Sequence, residues 1–348
     1  MTSGGLREAF GAEFAAADGY LNTPTYGLPP EFLVRAMQDC LAGWRAGTMD
    51  PVAFDEPVRA ARAGYAALAG VPVDSVAMGG SVSAVLALVA AAVPDGSRVA
   101  TLAGEFTSDT FPFAVQAGRG VTVTELAAGE LVSRAADFDV VTVSLVQSAD
   151  GAVLDVDGLR AAVAGTGTLT VVDVTQAAGA RSLDLAWADV TTAAAYKWLL
   201  APRGIAWMSL SDRVAATMTP HAANWYAGEA PWQSIYGLPL RLAGTARRFD
   251  ASPSWFSALG ASLTLPWLAS LDMAAVQAHT VGLAGRLCAE LGLPPQDSPI
   301  VAVPIAGAED RLRSAGIRAA VRAGAVRVGF HLYNDDNDLD RLLDALAS

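Results

Sequence analysis

Six short β-branched runs constrain this chain more than any other feature: Arg98–Leu102, Val121–Leu126, Val140–Val146, Leu169–Val174, Asp189–Thr192 and Ile205–Leu210. The first of them are separated by helix-length segments, and strand alternating with helix predicts an α/β domain around a mostly parallel sheet, with helices on both faces. The later runs follow one another too closely for helical crossovers, so some antiparallel pairing is expected there. Upstream, apolar residues recur at helical spacing over Glu31–Trp44 and Pro57–Leu68, and Pro29-Pro30 stands where a first helical turn begins. From about Leu240 onward the period is helical, broken by the strand-like runs Ile300–Ile305 and Ala325–Phe330. That pattern predicts a second, smaller α+β domain, and a chain of 348 residues exceeds the roughly 250–300 at which one core stops growing. The expected division is an N-terminal segment 1–26 packing on the small domain, a large domain 27–240 and a small domain 241–348.

The formal charge of −12 and the absence of any basic run argue against nucleic acid, whose phosphates demand clustered cations. The apolar helical run Val82–Val93 spans 12 residues and stops at Pro94-Asp95, short of the ~20 that cross a bilayer. Arg7, Glu8 and Glu13 stand where a secretory signal carries its apolar core. These features predict a cytoplasmic protein without a membrane partner. Cys40 and Cys288 are far apart, and His221, His279 and His331 lack ligand spacing, so neither a disulfide framework nor a metal site is expected.

Of the 23 basic residues, 22 are Arg and one is Lys197. Lysine differs from arginine chiefly in that it can lose its proton and react as an amine. Composition alone leaves open whether this survivor is chemical or accidental. In open α/β sheets ligands bind beyond the C-terminal ends of strands, which directs attention to the residues just after each run. The chain has no GxGxxG and no GxxxxGK[ST], which disfavours dinucleotide and P-loop sites. Gly79-Gly80-Ser81-Val82-Ser83 leads into the helical run Ala84–Val93 and reads either as a phosphate seat at a helix N-terminus or as a plain turn capped by Ser81. Asp173 ends the apolar run Leu169–Val174, a costly place for an acid unless it meets a cation or donor. Lys197 follows 24 residues later in Tyr196-Lys197-Trp198, before Pro202-Arg203-Gly204. An amine, an acid, a phosphate seat and an aromatic face are together the requirements of pyridoxal phosphate chemistry.

The segment Val171-Val172-Asp173-Val174-Thr175-Gln176-Ala177-Ala178-Gly179, with Ala195-Tyr196-Lys197-Trp198-Leu199 and Pro202-Arg203-Gly204, resembles the class V aminotransferase family of fold-type I pyridoxal phosphate enzymes. The resemblance runs from Tyr20-Leu21-Asn22-Thr23 to Val326-Arg327-Val328 and Tyr333-Asn334. It implies a pyridoxal 5'-phosphate cofactor, with Lys197 as the Schiff-base lysine and Asp173 as the partner of the pyridine nitrogen. Gln176 would hydrogen-bond the ring hydroxyl. Phe106 falls where relatives place the residue stacked on the ring, although packing after the strand Arg98–Leu102 also accounts for it. Gly80, Ser81 and Val82 would hold the phosphate, and Arg327 would grip the carboxylate of an amino-acid substrate. The segment Arg247–Pro253 corresponds to a loop that reaches the neighbour's phosphate in family dimers, so a homodimer with shared active sites is expected, Ser252 acting in trans.

The departures are informative. Many relatives carry Ser-x-His-Lys, where this chain has Ala194-Ala195-Tyr196-Lys197, and Tyr196 resembles the Tyr-Lys of kynureninases, whose phenol reaches the phosphate. Cysteine desulfurases need a cysteine shortly before the carboxylate arginine; none lies between Asp297 and Arg327, and Cys288 is 39 residues upstream. The segment Tyr20–Pro30 and Gly104-Glu105-Phe106-Thr107 are similar to the ergothioneine-pathway β-lyases, which cleave the C–S bond of hercynylcysteine sulfoxide. The stretch 225–236 holds four aromatics in 12 residues, including Trp225 and Tyr226, with Glu229 among them. That composition suits a cage for a quaternary ammonium group or a packed loop. The resemblance thus implies a C–S β-lyase giving ergothioneine, pyruvate and ammonia; by residue type alone, Tyr26 or Tyr226 is the candidate to protonate the departing sulfur. An aminotransferase, a kynureninase-like hydrolase and a degenerate binding protein stay open as alternatives.

Overall fold

The computed structural model describes residues 5–15 and 17–347. Residues 1–4 and 16 of the expected N-terminal segment therefore lie outside the described residues. The elements in chain order begin with β1 (Arg7–Ala9), β2 (Ala12–Phe14), α1 (Glu31–Ala46), α2 (Asp55–Ala69), β3 (Val76–Gly79) and α3 (Val82–Ala92). Strand and helix then alternate through β4 (Arg98–Leu102), α4 (Thr107–Ala114), β5 (Thr122–Leu126), α5 (Ala128–Arg134), β6 (Val140–Ser144), α6 (Val156–Val163) and β7 (Leu169–Asp173). β8 (Val190–Ala194), β9 (Ala206–Leu210), α7 (Asp212–Thr217), α8 (Trp255–Ala269) and α9 (Met273–Glu290) follow. The chain closes with β10 (Ile300–Val303), α10 (Ala308–Ser314), β11 (Ala320–Arg322), β12 (Ala325–Gly329) and α11 (Asp336–Ala347).

Seven strands form the central sheet in the order β3-β9-β8-β7-β6-β4-β5. The pairs from β5 to β8 are parallel, whereas β9 is antiparallel to both β8 and β3. The antiparallel pairing expected among the late strands is thus confined to β9. Its reversal brings the start of β9 to the edge where every other strand ends. β3 gave no periodic signal, because four residues ending in Met78-Gly79 are too few to show one.

Strand periodicity divides the burial between two faces. Val171 enters the core with α3, and its neighbour Val172 enters the core with α2 and α8. β6 through β8 are buried almost throughout, and each fully buried valine contributes roughly 1.5–3 kcal/mol of transfer free energy. A smaller antiparallel sheet, β10-β12-β11, packs with α9, α10 and α11 around a separate core that also takes in Leu21. The division at 26/27 and 240/241 is kept as a proposal. Leu21 gives it a basis at the first boundary, while α8, beyond the second, lies along α2. Among the described residues no single helix is long and apolar enough to cross a membrane.

Candidate active site

Four parallel strand ends and the start of β9 converge on one cavity of about 220 Å³. β6 delivers Ser144, β7 delivers Asp173, and the turn after β8 delivers Tyr196 and Lys197. The segment after β8 is clamped in place. Gly27 N–H donates to the Tyr196 carbonyl at 2.9 Å, and a Cβ on Gly27 would collide with the Lys197 carbonyl oxygen. Gly179 has a φ of +87°, and its missing side chain leaves room for the Trp198 carbonyl.

Lys197 is 6% exposed, and among the described residues no hydrogen bond holds its amine. Burial pulls its pKa down to about 8; Asp173 opposes the shift and the Arg327 charge adds to it. The amine lies 5.3 Å from the centre of the Phe106 ring, and that ring is 46% exposed at the cavity. Asp173 accepts the Thr175 N–H at 2.6 Å. Its pKa is nonetheless raised, burial outweighing the help from Thr175 and Lys197. At the far wall, Gly80, Ser81, Val82 and Ser83 line the cavity at the first turn of α3, with Ser81 Oγ accepting the Ala84 N–H at 3.2 Å as N-cap.

Gln176 also lines the cavity, but its side chain is already engaged. Its amide nitrogen donates to the Pro24 carbonyl and to Ser148 Oγ, both at 3.0 Å, and its oxygen accepts the Trp198 indole N–H at 2.7 Å. Arg327, in β12, reaches the same corner. It donates to the Ser148 carbonyl and hydroxyl and, at 2.7 Å, to Thr25 Oγ1. This guanidinium is 1% exposed with no carboxylate beside it, its Nε has no partner, and burial lowers its pKa to about 10. Tyr26 lines the neighbouring cleft with Leu33 and Met37 rather than this cavity, its ring centre 5.6 Å from that of Tyr196.

Three further expected residues lie outside this cavity in their own chain. Trp225 packs on Tyr226 and Trp232, whose indole donates to Asp55 at 2.7 Å. Tyr226 is buried in the α2–α8 core, and burial pushes its phenol up to about 12. Ser252 is exposed, just after Ala251, whose N–H donates to the Met78 carbonyl at 2.8 Å near the end of β3.

Sequence reasoning missed Asp109, Glu105 and Arg203. Asp109, in the first turn of α4, is fully buried beside Asp173, and among the described residues neither carboxyl oxygen has a donor. Burial first, then Asp173 and Glu105, hold it well above the usual carboxylate range, with Lys197 opposing. Glu105 accepts from Ser144 N–H and Oγ and from Gln147 Nε2. The motif Gly104-Glu105-Phe106 was visible in the sequence, yet nothing local told a buried acid from a surface one.

The residues fit a planar aromatic cofactor with an anionic tail. An uncommitted amine and a deep carboxyl lie at one end, a ring face stands above them, and unpaired helix N-terminal amides lie at the other end. Among the described residues no group of three or more His, Cys, Asp or Glu could hold a metal ion.

A sequence profile of the aminotransferase class-V family matches residues 79–297. The uncharacterized aminotransferase YcbU of Bacillus subtilis (strain 168) is 25% identical over 316 residues, covering 84% of each chain. Among solved structures, a cysteine desulfurase from Thermococcus onnurineus NA1 superposes with a TM-score of 0.81 at 20% identity, over 94% of this chain and 93% of that one. The Escherichia coli cysteine desulfurase CsdA gives 0.82 at 19%, over 96% of both chains. The cystine C-S lyase C-DES, in complex with its product cysteine persulfide, gives 0.82 at 17%, over 96% of this chain and 98% of that one. These structures share the fold-type I architecture.

Proposed function

Because the chain belongs to the aminotransferase class-V family, whose cofactor is pyridoxal 5'-phosphate, we propose that it is a carbon–sulfur β-lyase acting on a cysteine-conjugate sulfoxide. The observation that carries the enzyme class is the cavity itself, where the single lysine of the chain is buried, unbonded and flanked by Asp173 and Phe106. Bound pyridoxal phosphate supplies an electron sink for charge developing at an amino acid's Cα. The remaining work falls to side chains. Asp173 holds the proton at the pyridine nitrogen. An amine whose pKa is about 8 exists partly as free base near neutrality, so Lys197 takes the Cα proton. Arg327 turns its spare donors to the substrate carboxylate, and a planar fork suits that pairing. Phe106 covers the ring, and Gly80, Ser81, Val82 and Tyr196 receive the phosphate.

Elimination breaks the Cα–H and Cβ–S bonds, and the sulfur leaves as a sulfenate that takes up a proton to become a sulfenic acid. Of the two tyrosines considered, the exposed Tyr26, against the cavity residue Tyr196, suits this step and the core residue Tyr226 does not. The three-carbon fragment hydrolyses to pyruvate and ammonia. Hercynylcysteine sulfoxide is the substrate we favour, on the likeness of Tyr20–Pro30 and Gly104–Thr107 to the ergothioneine-pathway lyases. Reaching the thiol ergothioneine then takes a two-electron reductant such as a small thiol. The lack of any cysteine between Asp297 and Arg327, and the burial of Cys288 within α9, favour a lyase over a desulfurase.

A homodimer is part of the proposal. Ser252, outside its own cavity, would serve the partner's phosphate. The deciding assay incubates the holoenzyme with cysteine-conjugate sulfoxides and a thiol and follows pyruvate. Pyruvate release at a steady rate is expected. Amino transfer to a keto acid without pyruvate would establish transamination instead, the activity in the name of YcbU.

A further inference from the structure

The elimination leaves one charged residue of the cavity unused. Arg203 lines the cavity beside Gly80–Ser83 and Tyr196, in the turn before β9 that the strand's reversal carries to the active edge. Its backbone is fixed on both sides. The Arg203 N–H donates to Tyr26 Oη at 3.4 Å, and its carbonyl accepts Ser257 Oγ at 2.9 Å. Gly204 follows with a φ of +117°, and a Cβ there would sit 2.9 Å from Ser257 Oγ, so the turn is closed to other side chains. The guanidinium carbon lies 5.2 Å from the centre of the Tyr196 ring, and no acid pairs with it among the described residues.

The cavity lining holds two cationic side chains, Lys197 and Arg203. They serve opposite ends. The charges that act on Lys197 are those of Asp173, Arg327, Asp109 and Arg322. Arg203 instead shares its wall with the first turn of α3, an 11-residue helix whose leading amides have no partners within the helix. A phosphate monoester seated there carries nearly two negative charges, and a helix terminus offsets only about half of one. Ala194, which lines the cavity at the end of β8, has no hydroxyl to contribute. Within the described lining, Arg203 is the cation placed to supply the remaining counter-charge.

We propose that Arg203 is the phosphate clamp of this chain, pairing its guanidinium with the cofactor phosphate against the amides of α3 while the Tyr196 ring supports its plane. The assignment rests on the pyridoxal phosphate reading. Its test compares two ligands that differ only in the phosphate. Protein stripped of cofactor is titrated with pyridoxal 5'-phosphate and, separately, with pyridoxal, following visible absorbance, for wild type, Arg203→Lys and Arg203→Ala.

The expected result is a ~10–100-fold loss of pyridoxal 5'-phosphate affinity in Arg203→Ala, the range for losing charged hydrogen bonds, with pyridoxal affinity unchanged. Arg203→Lys recovers part of the loss because it keeps the charge without the fork. Unchanged pyridoxal binding also shows that the variant is folded. A loss below twofold, or an equal loss for both ligands, overturns the clamp while leaving the cofactor in place. Wild type that binds neither ligand overturns the clamp and the cofactor together.

Discussion

Two clusters of buried charge sit a few residues apart in this fold and are built to opposite rules. In the first, Arg62 of α2 meets Asp250 at 2.6 Å, with side chains 7% and 0% exposed. Asp250 also accepts the Met78 N–H at 2.8 Å, and Arg62 donates to the Val76 carbonyl. Each charge there has its partners. In the second, among the described residues, Lys197 has no hydrogen bond, the Asp109 carboxyl has no donor, and Arg327 leaves its Nε unpaired. Burying a charge without partners costs stability, so it persists only where something outside the chain completes it. The Arg62–Asp250 cluster holds β3 and the 250–253 loop in register, and the Lys197 cluster is the one we propose a bound cofactor completes.

The largest effect that divides the two is on turnover. Lys197→Met is expected to lower kcat at least ~10³-fold in the pyruvate assay, since it removes both the covalent anchor and the base. The same change should stabilise the protein stripped of cofactor. The lysine pKa falls from 10.5 unfolded to about 8 folded, so the folded state binds fewer protons, and wild type loses stability as pH drops from 10.5 to 8. Below that window the loss amounts to about 3 kcal/mol, which the methionine variant regains. Urea melts at pH 7 measure this gain. A destabilised Lys197→Met would mean that the amine is satisfied after all. Arg62→Ala runs the other way. It strands Asp250 without its cation, and breaking a buried pair costs about 3–5 kcal/mol, read from the same melts.

The sheet was legible because its inner strands are apolar on both faces, and Val140–Ser144 and Leu169–Asp173 announce themselves without any partner. β3 was not legible, since its strand character comes from pairing with β9 rather than from its own four residues. Within the site, Lys197 was exposed by composition and Asp173 by its place at a strand tip. Asp109 and Arg203 were hidden because their meaning lies in what is missing around them: a donor for one, an acid for the other. The Trp225–Tyr226 stretch shows the converse, for its aromatic density is spent on packing within its own chain.

A smaller effect tests whether Arg327 belongs with the unfinished cluster. Arg327→Lys keeps a charge but loses the fork, and should raise KM for an amino-acid substrate ~10–100-fold with a lesser change in kcat. Initial rates at varied substrate decide it. Equal falls in kcat and kcat/KM would place Arg327 at the transition state rather than at the carboxylate.

The smallest effect is the most diagnostic of the unfinished design. Asp109 is held well above its ordinary pKa of 3.8, so the folded state keeps a proton there that the unfolded chain has released. Stability from this group is full below about pH 4 and is lost as pH rises toward the raised value. Asp173 on β7, Glu105 before α4 and Lys197 after β8 are the charges that face it, the two acids raising its pKa and the lysine lowering it. Asp109→Asn keeps the shape and the donor of the protonated acid and cannot ionise. Its melting midpoint should match wild type near pH 4 and exceed it at pH 8, whereas Asp109→Ala should fall below wild type at pH 4. Midpoints of wild type and Asp109→Asn that run parallel from pH 4 to 8 would show that Asp109 titrates as an ordinary carboxylate.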